Sequence, residues 1–175
     1  MQLHYTLQAF EALMAWGPII FGVVHPHIGG ILGGIVTRKE IESWYSCIKK
    51  PWFTPPNWVF GPVWTSLYTG MGYASYLTWK DGGGFGGEAK TALALYGSQL
   101  MLNWMWSPVF FGKHKIRLGA VILWATWGTA AATGYKMYAI NPTAGYLMIP
   151  YMVWLTLAGA INTWVAMNNS VEMEE

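Results

Sequence analysis

The charged residues of this chain fall into short clusters, and long stretches of mostly apolar residues separate them. A bilayer core requires about 20 apolar residues per helix, and these stretches reach that length. The pattern therefore predicts an all-α integral membrane protein whose domain, residues 16–168, is a bundle of five transmembrane helices. An N-terminal tail, 1–15, and an acidic C-terminal tail, 169–175, flank it. The predicted helices lie at about 16–36, 58–79, 89–111, 118–136 and 143–167.

The composition agrees with a membrane environment. Apolar residues make up 54% of the chain and charged residues only 10%, whereas soluble domains carry about 25% charged residues. Aromatic residues reach 17%, which excludes a disordered chain. The net charge of +2 comes without a basic stripe, so nucleic acid is excluded as a partner. The single cysteine, Cys47, excludes an intrachain disulfide and a CxxC motif.

Proline and glycine shape the predicted helices and their first connection. Pro26 is expected to kink the first helix. Gly29 and Gly33, like Gly30 and Gly34, have the GxxxG spacing that lets membrane helices approach closely. The connector at 37–57 is expected to form an amphipathic turn followed by an extended segment rich in proline and aromatic residues.

The basic residues predict the orientation in the membrane. Five crossings place alternate loops on opposite sides, and Lys and Arg concentrate in short cytosolic loops. The first and third loops carry more of them than the second and fourth loops, so the first loop, the third loop and the C-terminus are predicted to be cytosolic. The basic residues of the first and third loops are Arg38, Lys39, Lys49, Lys50, Lys113, Lys115 and Arg117.

Few residues offer catalytic or metal chemistry. The segment 82–87 matches GxGxxG, but it joins two membrane helices and is interpreted as a flexible linker. No HExxH, GxSxG or paired carboxylate occurs, so classical hydrolases and metalloproteases are excluded. His25 and His27 lie inside a predicted span, where ionisable groups are functional candidates. His25 is a candidate haem ligand; the alternative is a histidine that hydrogen-bonds to a carbonyl freed by the Pro26 kink.

Aromatic and amide side chains inside the spans indicate either interhelical packing or a cavity for a large, flat, apolar ligand. Gln99 and Asn103 are four residues apart and share one helix face. Asn162 adds a further amide in the last span. Unpaired amides are unfavourable in lipid, so all three are expected to face the bundle interior.

Long motifs resemble the translocator protein family, also called tryptophan-rich sensory proteins or peripheral-type benzodiazepine receptors. The segment 44–80 (WYSCIKKPWFTPPNWVFGPVWTSLYTGMGYASYLTWK) and the segment 95–112 (LYGSQLMLNWMWSPVFFG) are the most specific. Segments 25–34 and 150–162 resemble the first and last helices of the family. The resemblance covers roughly residues 16–168.

The resemblance implies a five-helix protein of the mitochondrial outer membrane, often a homodimer, with a cytosolic C-terminus. It also implies binding of porphyrins (tetrapyrroles) including haem, of sterols such as cholesterol, and of isoquinoline or benzodiazepine-type ligands, with no obligatory cofactor and no metal site. Trp64 and Trp154 are the residues expected to stack on a flat ligand. Carried over by position, the ligand-binding residues are Gly34, Phe60, Gly61, Val63, Trp64, Gln99, Asn103, Trp106, Val121, Ala125, Trp154, Ala158 and Ile161.

The chain departs from the family pattern in its last helix. The family's sterol motif needs tyrosine and a basic residue where this chain has Thr163, Trp164 and Met167. Porphyrin is therefore a better-supported ligand than sterol. The leading functional hypothesis is a non-enzymatic translocator or receptor for tetrapyrroles. The alternatives are an enzyme that degrades porphyrin in light and a membrane scaffold that acts through partner proteins.

Overall fold

The computed structural model describes residues 2–169, with side chains from residue 16 onward. The described residues form helices joined by short connections, and no strand occurs among them. Most of the predicted acidic tail, residues 170–175, lies outside the described part of the chain. The long helices are α1 (Gln2–Glu40), α3 (Asn57–Asp81), α4 (Ala89–Ser107), α5 (Ile116–Ile140) and α7 (Ile149–Asn168); the short ones are α2 (Trp44–Cys47) and α6 (Pro142–Leu147).

The first helix is longer than the sequence pattern predicts. Its backbone is helical from Gln2, so the segment assigned to a tail continues into the membrane helix predicted from residue 16. Among the residues with described side chains, two helical stretches are long and apolar enough to cross a bilayer: Trp16–Glu40 and Pro142–Asn168. The second of these contains both α6 and α7.

Prolines mark the two places where predicted helices are interrupted. The third predicted helix, 89–111, is α-helical only to Ser107, and Pro108–Gly112 forms a π-helical turn. Proline lacks the backbone donor that would continue the α-helical pattern, so the turn widens there. The last predicted helix is divided at Met148, two residues before Pro150. Asn141 caps α6, its side chain accepting a 3.1 Å hydrogen bond from the Ala144 backbone.

Residues of α3, α4, α5, α6 and α7 form one apolar core. Its centre is Met71, Met137 and Tyr151, each with no exposed surface, and Ala74 and Ala130 let the helices approach closely around them. Dense packing on this side of the bundle leaves the other half, next to the connector at 41–56, as the place where a cavity can form.

Polar contacts connect the loops in two groups. His114, after the π-helical turn, lies 3.2 Å from the Glu40 carboxylate, which brings the third loop to the first. At the opposite end, Asn141 hydrogen-bonds to Asp81, which brings the fourth loop to the second. This grouping is the one expected when consecutive long helices run in opposite directions.

Candidate ligand-binding site

A cavity of about 570 Å³ lies between α1, α3, α4, α5 and α7, in the half of the bundle next to the connector. Its volume falls in the range of about 300–1,000 Å³ that small-molecule sites occupy. Most of its lining is glycine, aliphatic or aromatic. The residues that carry the discussion below are His27, Gly29, Gly30, Gly33, Gly34, Arg38, Tyr45, Phe60, Gly61, Trp64, Tyr68, Asn103, Trp104, Trp106, Leu123, Thr126, Trp154, Ala158, Ile161 and Asn162.

A glycine-rich face of α1 forms one wall. A methyl group added at Gly30 would lie 2.4 Å from the Tyr68 ring, and one at Gly33 would lie 3.0 Å from the Ser107 hydroxyl. One at Gly34 would meet nothing within 4 Å. The two predicted GxxxG pairs therefore differ: Gly29, Gly30 and Gly33 permit close packing, whereas Gly34 borders open cavity.

Two aromatic pairs form the side walls. Trp64 stacks on Tyr68 with ring centres 5.2 Å apart and planes inclined by 29°. Phe60 meets Trp154 edge to face at 5.5 Å. Phe60, Trp64 and Tyr68 follow one another at intervals of four residues in α3. That helix therefore presents a continuous aromatic surface to the cavity.

A chain of hydrogen bonds runs from the cavity into the core. The Tyr68 hydroxyl donates to the Asn103 amide oxygen at 2.6 Å, and the Asn103 amide nitrogen donates to the Tyr151 hydroxyl at 3.1 Å. Tyr151 in turn donates to the Gln99 oxygen at 2.9 Å. Tyr68 and Asn103 line the cavity, whereas Gln99 and Tyr151 are fully buried behind them. This series of hydrogen bonds holds the Tyr68 hydroxyl and the Asn103 amide in place at the polar end of the aromatic wall.

The indole N–H of Trp154 is buried without a hydrogen-bond partner. Its Nε1 is the one buried side-chain nitrogen or oxygen in the described part of the chain without a hydrogen-bond partner. By contrast, Trp104 donates to the Pro26 carbonyl at 3.2 Å and Trp106 donates to Asn162 at 3.2 Å. Trp127, on the outer surface, donates to Thr156 at 2.9 Å. A buried donor without a partner is unfavourable by about 1–3 kcal/mol, so this wall has an unused hydrogen-bond donor.

The connector closes the end of the cavity. Ile48 is buried in a cluster with Phe110, Phe111 and the last turns of α7. The Asn169 side chain accepts a 2.9 Å hydrogen bond from the Lys49 backbone N–H and donates a 3.1 Å bond to the Lys49 carbonyl. Through these two bonds the Asn169 amide pairs with the Lys49 backbone and attaches the connector to the end of α7.

Tyr45 and Lys50 stabilise the connector from within. The Lys50 ammonium donates to the Tyr45 carbonyl and lies 4.4 Å from the centre of its ring. Burial raises the pKa of the Tyr45 phenol and lowers the pKa of the Lys50 ammonium, the latter opposed by the nearby Cys47 thiol. The Tyr45 ring lines the cavity, so this pair links the connector's conformation to the cavity wall.

Arg38 supplies a positive charge to the cavity lining. It lies in the last turn of α1, and its guanidinium forms no ion pair or hydrogen bond with any described residue. Its side chain is exposed, so the charge stays hydrated at the cavity's edge. An anionic group on a ligand would be attracted to this charge.

Residues 22–167 match the model of the TspO/MBR family. The chain belongs to the TspO/MBR family. It is 42% identical over 156 residues to the translocator protein of Bos taurus, a match that covers 89% of this chain and 92% of that protein. The corresponding values for the Homo sapiens translocator protein are 41%, 154 residues, 88% and 91%.

Relatives also occur among microorganisms. The tryptophan-rich protein TspO of Archaeoglobus fulgidus is 35% identical over 141 residues, which cover 81% of this chain and 90% of that protein. Membership of the TspO/MBR family, together with the two long apolar stretches, makes the chain an integral membrane protein. The resemblance found in the motifs is therefore confirmed.

The cavity of this TspO/MBR member brings together most of the residues singled out from the sequence. Both predicted stacking residues lie in its wall. The predicted residues that line it are Gly34, Phe60, Gly61, Trp64, Asn103, Trp106, Trp154, Ala158 and Ile161.

Four predicted site residues lie outside the cavity lining. Val63 packs against the apolar core, and Gln99 is sealed behind Tyr151. Val121 and Ala125 are exposed on the outer face of α5. Residues two apart on a helix point about 200° away from each other, so α5 turns its opposite face, with Leu123 and Thr126, to the cavity.

Two residues at or behind the cavity wall, Tyr151 and Arg38, carry no sequence signal that marks them as part of the site. Tyr151 lies at a helix start rich in apolar residues, and its role depends on two amides from α4, which no local pattern reveals. The sequence shows Arg38 only as a topology signal, although it lies in the last turn of α1, one turn after the cavity residue Gly34.

His25 is hydrogen-bonded in the structure, although its partner is the Phe21 carbonyl and not the Gly22 carbonyl that Pro26 leaves free. Its Nδ1 donates to the Phe21 carbonyl at 2.9 Å, which leaves Nε2 to accept from the Tyr96 hydroxyl at 3.0 Å. Both ring nitrogens are therefore engaged, and the residue lies outside the cavity lining. In the described part of the chain, no group of three or more His, Cys, Asp or Glu residues could hold a metal ion.

Proposed function

We propose that this TspO/MBR protein binds a porphyrin or a related tetrapyrrole, haem included, in the cavity and acts as a membrane translocator or receptor for it. The observation that carries the proposal is the unpaired N–H of Trp154 in an aromatic wall. A flat ligand with hydrogen-bond acceptors would satisfy that donor and stack on the same aromatic surface.

The positive charge at the cavity edge supports an anionic tetrapyrrole in particular. Porphyrins carry carboxylate side chains on an apolar ring, and Arg38 lies at the cavity edge while the deeper walls are apolar. The ring would rest against Trp64 and Trp154, and a carboxylate would face the guanidinium. In this arrangement the deeper, apolar part of the cavity binds the ring, and the edge at Arg38 binds the carboxylate.

Sterols and isoquinoline or benzodiazepine-type compounds are secondary ligands in this proposal. A sterol has one hydroxyl, no aromatic face and no carboxylate. It would therefore neither stack on the aromatic wall nor pair with the Arg38 guanidinium. The residues that stand at the family's sterol motif also point away from such a role, since Met167 is 79% exposed and lies outside the cavity lining.

The proposal assigns binding rather than turnover. The relatives carry names of translocator and tryptophan-rich proteins. The titratable side chains that line the cavity are His27, Arg38, Tyr45 and Tyr68, and Asn103 accepts the Tyr68 proton in a hydrogen bond. This set lacks the paired carboxylates of general acid–base catalysis. Illumination of the bound porphyrin, followed by absorption spectroscopy, separates binding from degradation.

We further propose five membrane crossings, formed by α1, α3, α4, α5 and the α6–α7 stretch, in the mitochondrial outer membrane with the C-terminus in the cytosol. The contact of the first loop with the third, and of the second with the fourth, supports alternating crossings. The excess of basic residues in the first and third loops supports their cytosolic placement. A homodimer in the bilayer belongs to the same proposal.

A titration with protoporphyrin in the dark, read by quenching of tryptophan fluorescence, tests the binding proposal. Trp154→Phe keeps an aromatic ring but removes the N–H, so the dissociation constant should rise by about threefold to tenfold, the effect of one hydrogen bond. Trp124→Phe is the matched control, because Trp124 donates to Thr163 outside the cavity. Quenching that never saturates would refute the proposal.

A further inference from the structure

Of the histidines whose side chains the structure describes, His27 is the one that lines the cavity. It lies on the same face of α1 as Gly34 and Arg38, because about two and three helical turns separate it from them. On this side the cavity is open to the surface between α1 and α3, where its lining residues Ile31 and Gly61 are exposed. The His27 ring is therefore accessible to a ligand in the cavity.

One hydrogen bond fixes the position of the proton on the His27 ring. Its Nδ1 lies 3.0 Å from the Val23 carbonyl oxygen. A carbonyl oxygen can only accept, so Nδ1 carries the proton and donates it to this bond. The neutral ring then keeps a lone pair on Nε2. Histidines that bind metals are commonly oriented in this way, by a hydrogen bond from the other ring nitrogen to a backbone carbonyl.

The lone pair on His27 Nε2 has no strong hydrogen bond of its own. Its neighbour is the Thr69 hydroxyl at 3.3 Å. That hydroxyl has a single proton, which it donates to the Thr65 carbonyl at 2.9 Å, so the longer contact to Nε2 is left without one. His25 differs, because its Nε2 accepts a 3.0 Å hydrogen bond from the Tyr96 hydroxyl. Of His25 and His27, the second therefore has the nitrogen that is ready to bind a metal.

We infer that His27 is an axial ligand for the iron of haem in the cavity. This inference rests on the proposed tetrapyrrole function and moves the candidate ligand from His25 to His27. The Nε2 lone pair forms a bond to an open axial position of the iron, and no proton is released because Nε2 carries none. The porphyrin nitrogens supply the other ligands, so one histidine suffices and no cluster of protein ligands is needed. Haem thereby gains an interaction that metal-free protoporphyrin lacks.

Titrations with two ligands isolate this interaction. Haem and metal-free protoporphyrin are titrated separately, in the dark, against the detergent-purified chain and its His27→Ala variant. Residues that only orient a metal ligand already change metal affinity by about 10–100-fold, so loss of the ligand itself should weaken haem binding by at least about tenfold. The affinity for protoporphyrin should be unchanged. Added imidazole should restore the absorption spectrum of the haem complex, because it can occupy the space that the removed ring leaves.

The bond to the iron is observed directly by resonance Raman spectroscopy of the haem complex after reduction with dithionite. The parent chain should show an iron–histidine stretching band, and His27→Ala should lack it. His27→Gln is a second variant, since its amide can still donate to the Val23 carbonyl but has no imidazole lone pair, and it should lack the band as well. His25→Ala is the matched control and should keep the band, because His25 lies outside the cavity lining. Circular dichroism confirms that each variant is folded.

The outcomes separate failure of the ligation from failure of the binding function. Saturable protoporphyrin binding, with the same haem affinity and the same Raman band in the parent and both His27 variants, would overturn the ligation and leave the proposed function intact. Equal losses of haem and protoporphyrin affinity in His27→Ala would also overturn it, since His27 would then act on the shape of the cavity. Loss of the band in His25→Ala would assign the iron to His25 instead. Absence of saturable binding of either ligand would refute the proposed function itself.

Discussion

The side-chain amide of Asn103 donates a hydrogen bond of 3.1 Å to the Tyr151 hydroxyl, and this contact joins the cavity wall to the buried core. Tyr151 also donates to Gln99, so one hydroxyl satisfies amides from two successive turns of α4. The spacing of four residues places both amides on one face, as the sequence predicts.

Tyr151→Phe should destabilise the bundle by about 1–2 kcal/mol. The change leaves the Gln99 oxygen and the Asn103 nitrogen without their partner inside the protein, and hydrogen bonds in membrane bundles contribute about 1 kcal/mol each. Unfolding in a denaturing detergent, followed by circular dichroism, measures the change. Tyr135→Phe is the control, because that residue is 73% exposed. Equal stability of the two variants would show that the hydrogen-bond chain is not a stabilising element.

Arg38→Gln should weaken binding of protoporphyrin by about threefold, in line with an ion pair at an exposed site. Binding of the dimethyl ester of protoporphyrin should be unaffected, because the ester has no carboxylate for the guanidinium. Lys39→Gln is the matched control, since the neighbouring side chain lies outside the cavity lining. Equal losses for acid and ester would mean that Arg38 acts on the shape of the cavity and not on the ligand's charge.

Gly29→Ala and Gly34→Ala should differ sharply although both glycines belong to GxxxG pairs. The added methyl group at 29 meets the Trp104 ring at 2.2 Å, so the ring or α1 must move, with a loss of about 1–3 kcal/mol. The same group at 34 meets nothing within 4 Å and should leave stability unchanged. Thermal unfolding in one detergent compares the two. A larger loss of stability for Gly34→Ala than for Gly29→Ala would contradict the close approach of α1 and α4 at Gly29.

Asn169→Ala should loosen the connector without unfolding the bundle. It removes both hydrogen bonds to Lys49, so the backbone amides at 49–53 should exchange with solvent several-fold faster. Asn168→Ala is the control, because that side chain donates only to the Trp164 carbonyl within its own helix. Hydrogen exchange followed by mass spectrometry measures both variants. Unchanged exchange at 49–53 would contradict the attachment of the connector to α7.

The all-helical fold could be predicted from the sequence because charge and proline leave direct local signals. The gap between Lys50 and Lys80 contains all of α3 except its last two residues, and an apolar stretch of this length predicts a helix. What escaped prediction depends on contacts between distant segments. The π-helical turn at Pro108–Gly112 forms where α4 meets the third loop, and the start of α1 at Gln2 has no charge or proline signal to mark it.

Part of the cavity wall could also be predicted from the sequence. Trp64 and Trp154 stand out because long motifs carry them, and both line the cavity. The resemblance implies site roles for Val121 and Ala125, whereas the structure exposes both side chains and turns Leu123 to the cavity. Helix rotation is set by packing against Phe110 and the neighbouring helices, and the even distribution of apolar residues around α5 gives little information about it.

The indole N–H of Trp154 offers the most direct test of the binding account. Protein labelled with ¹⁵N-tryptophan gives one indole N–H signal per ordered tryptophan, and Trp154→Phe identifies the signal of Trp154. Saturating protoporphyrin should shift the Trp154 ¹⁵N resonance downfield and slow its exchange with water, as a new hydrogen bond requires, while the Trp127 signal stays in place because its N–H is already bonded to Thr156. An unchanged Trp154 signal under saturating ligand would contradict the account.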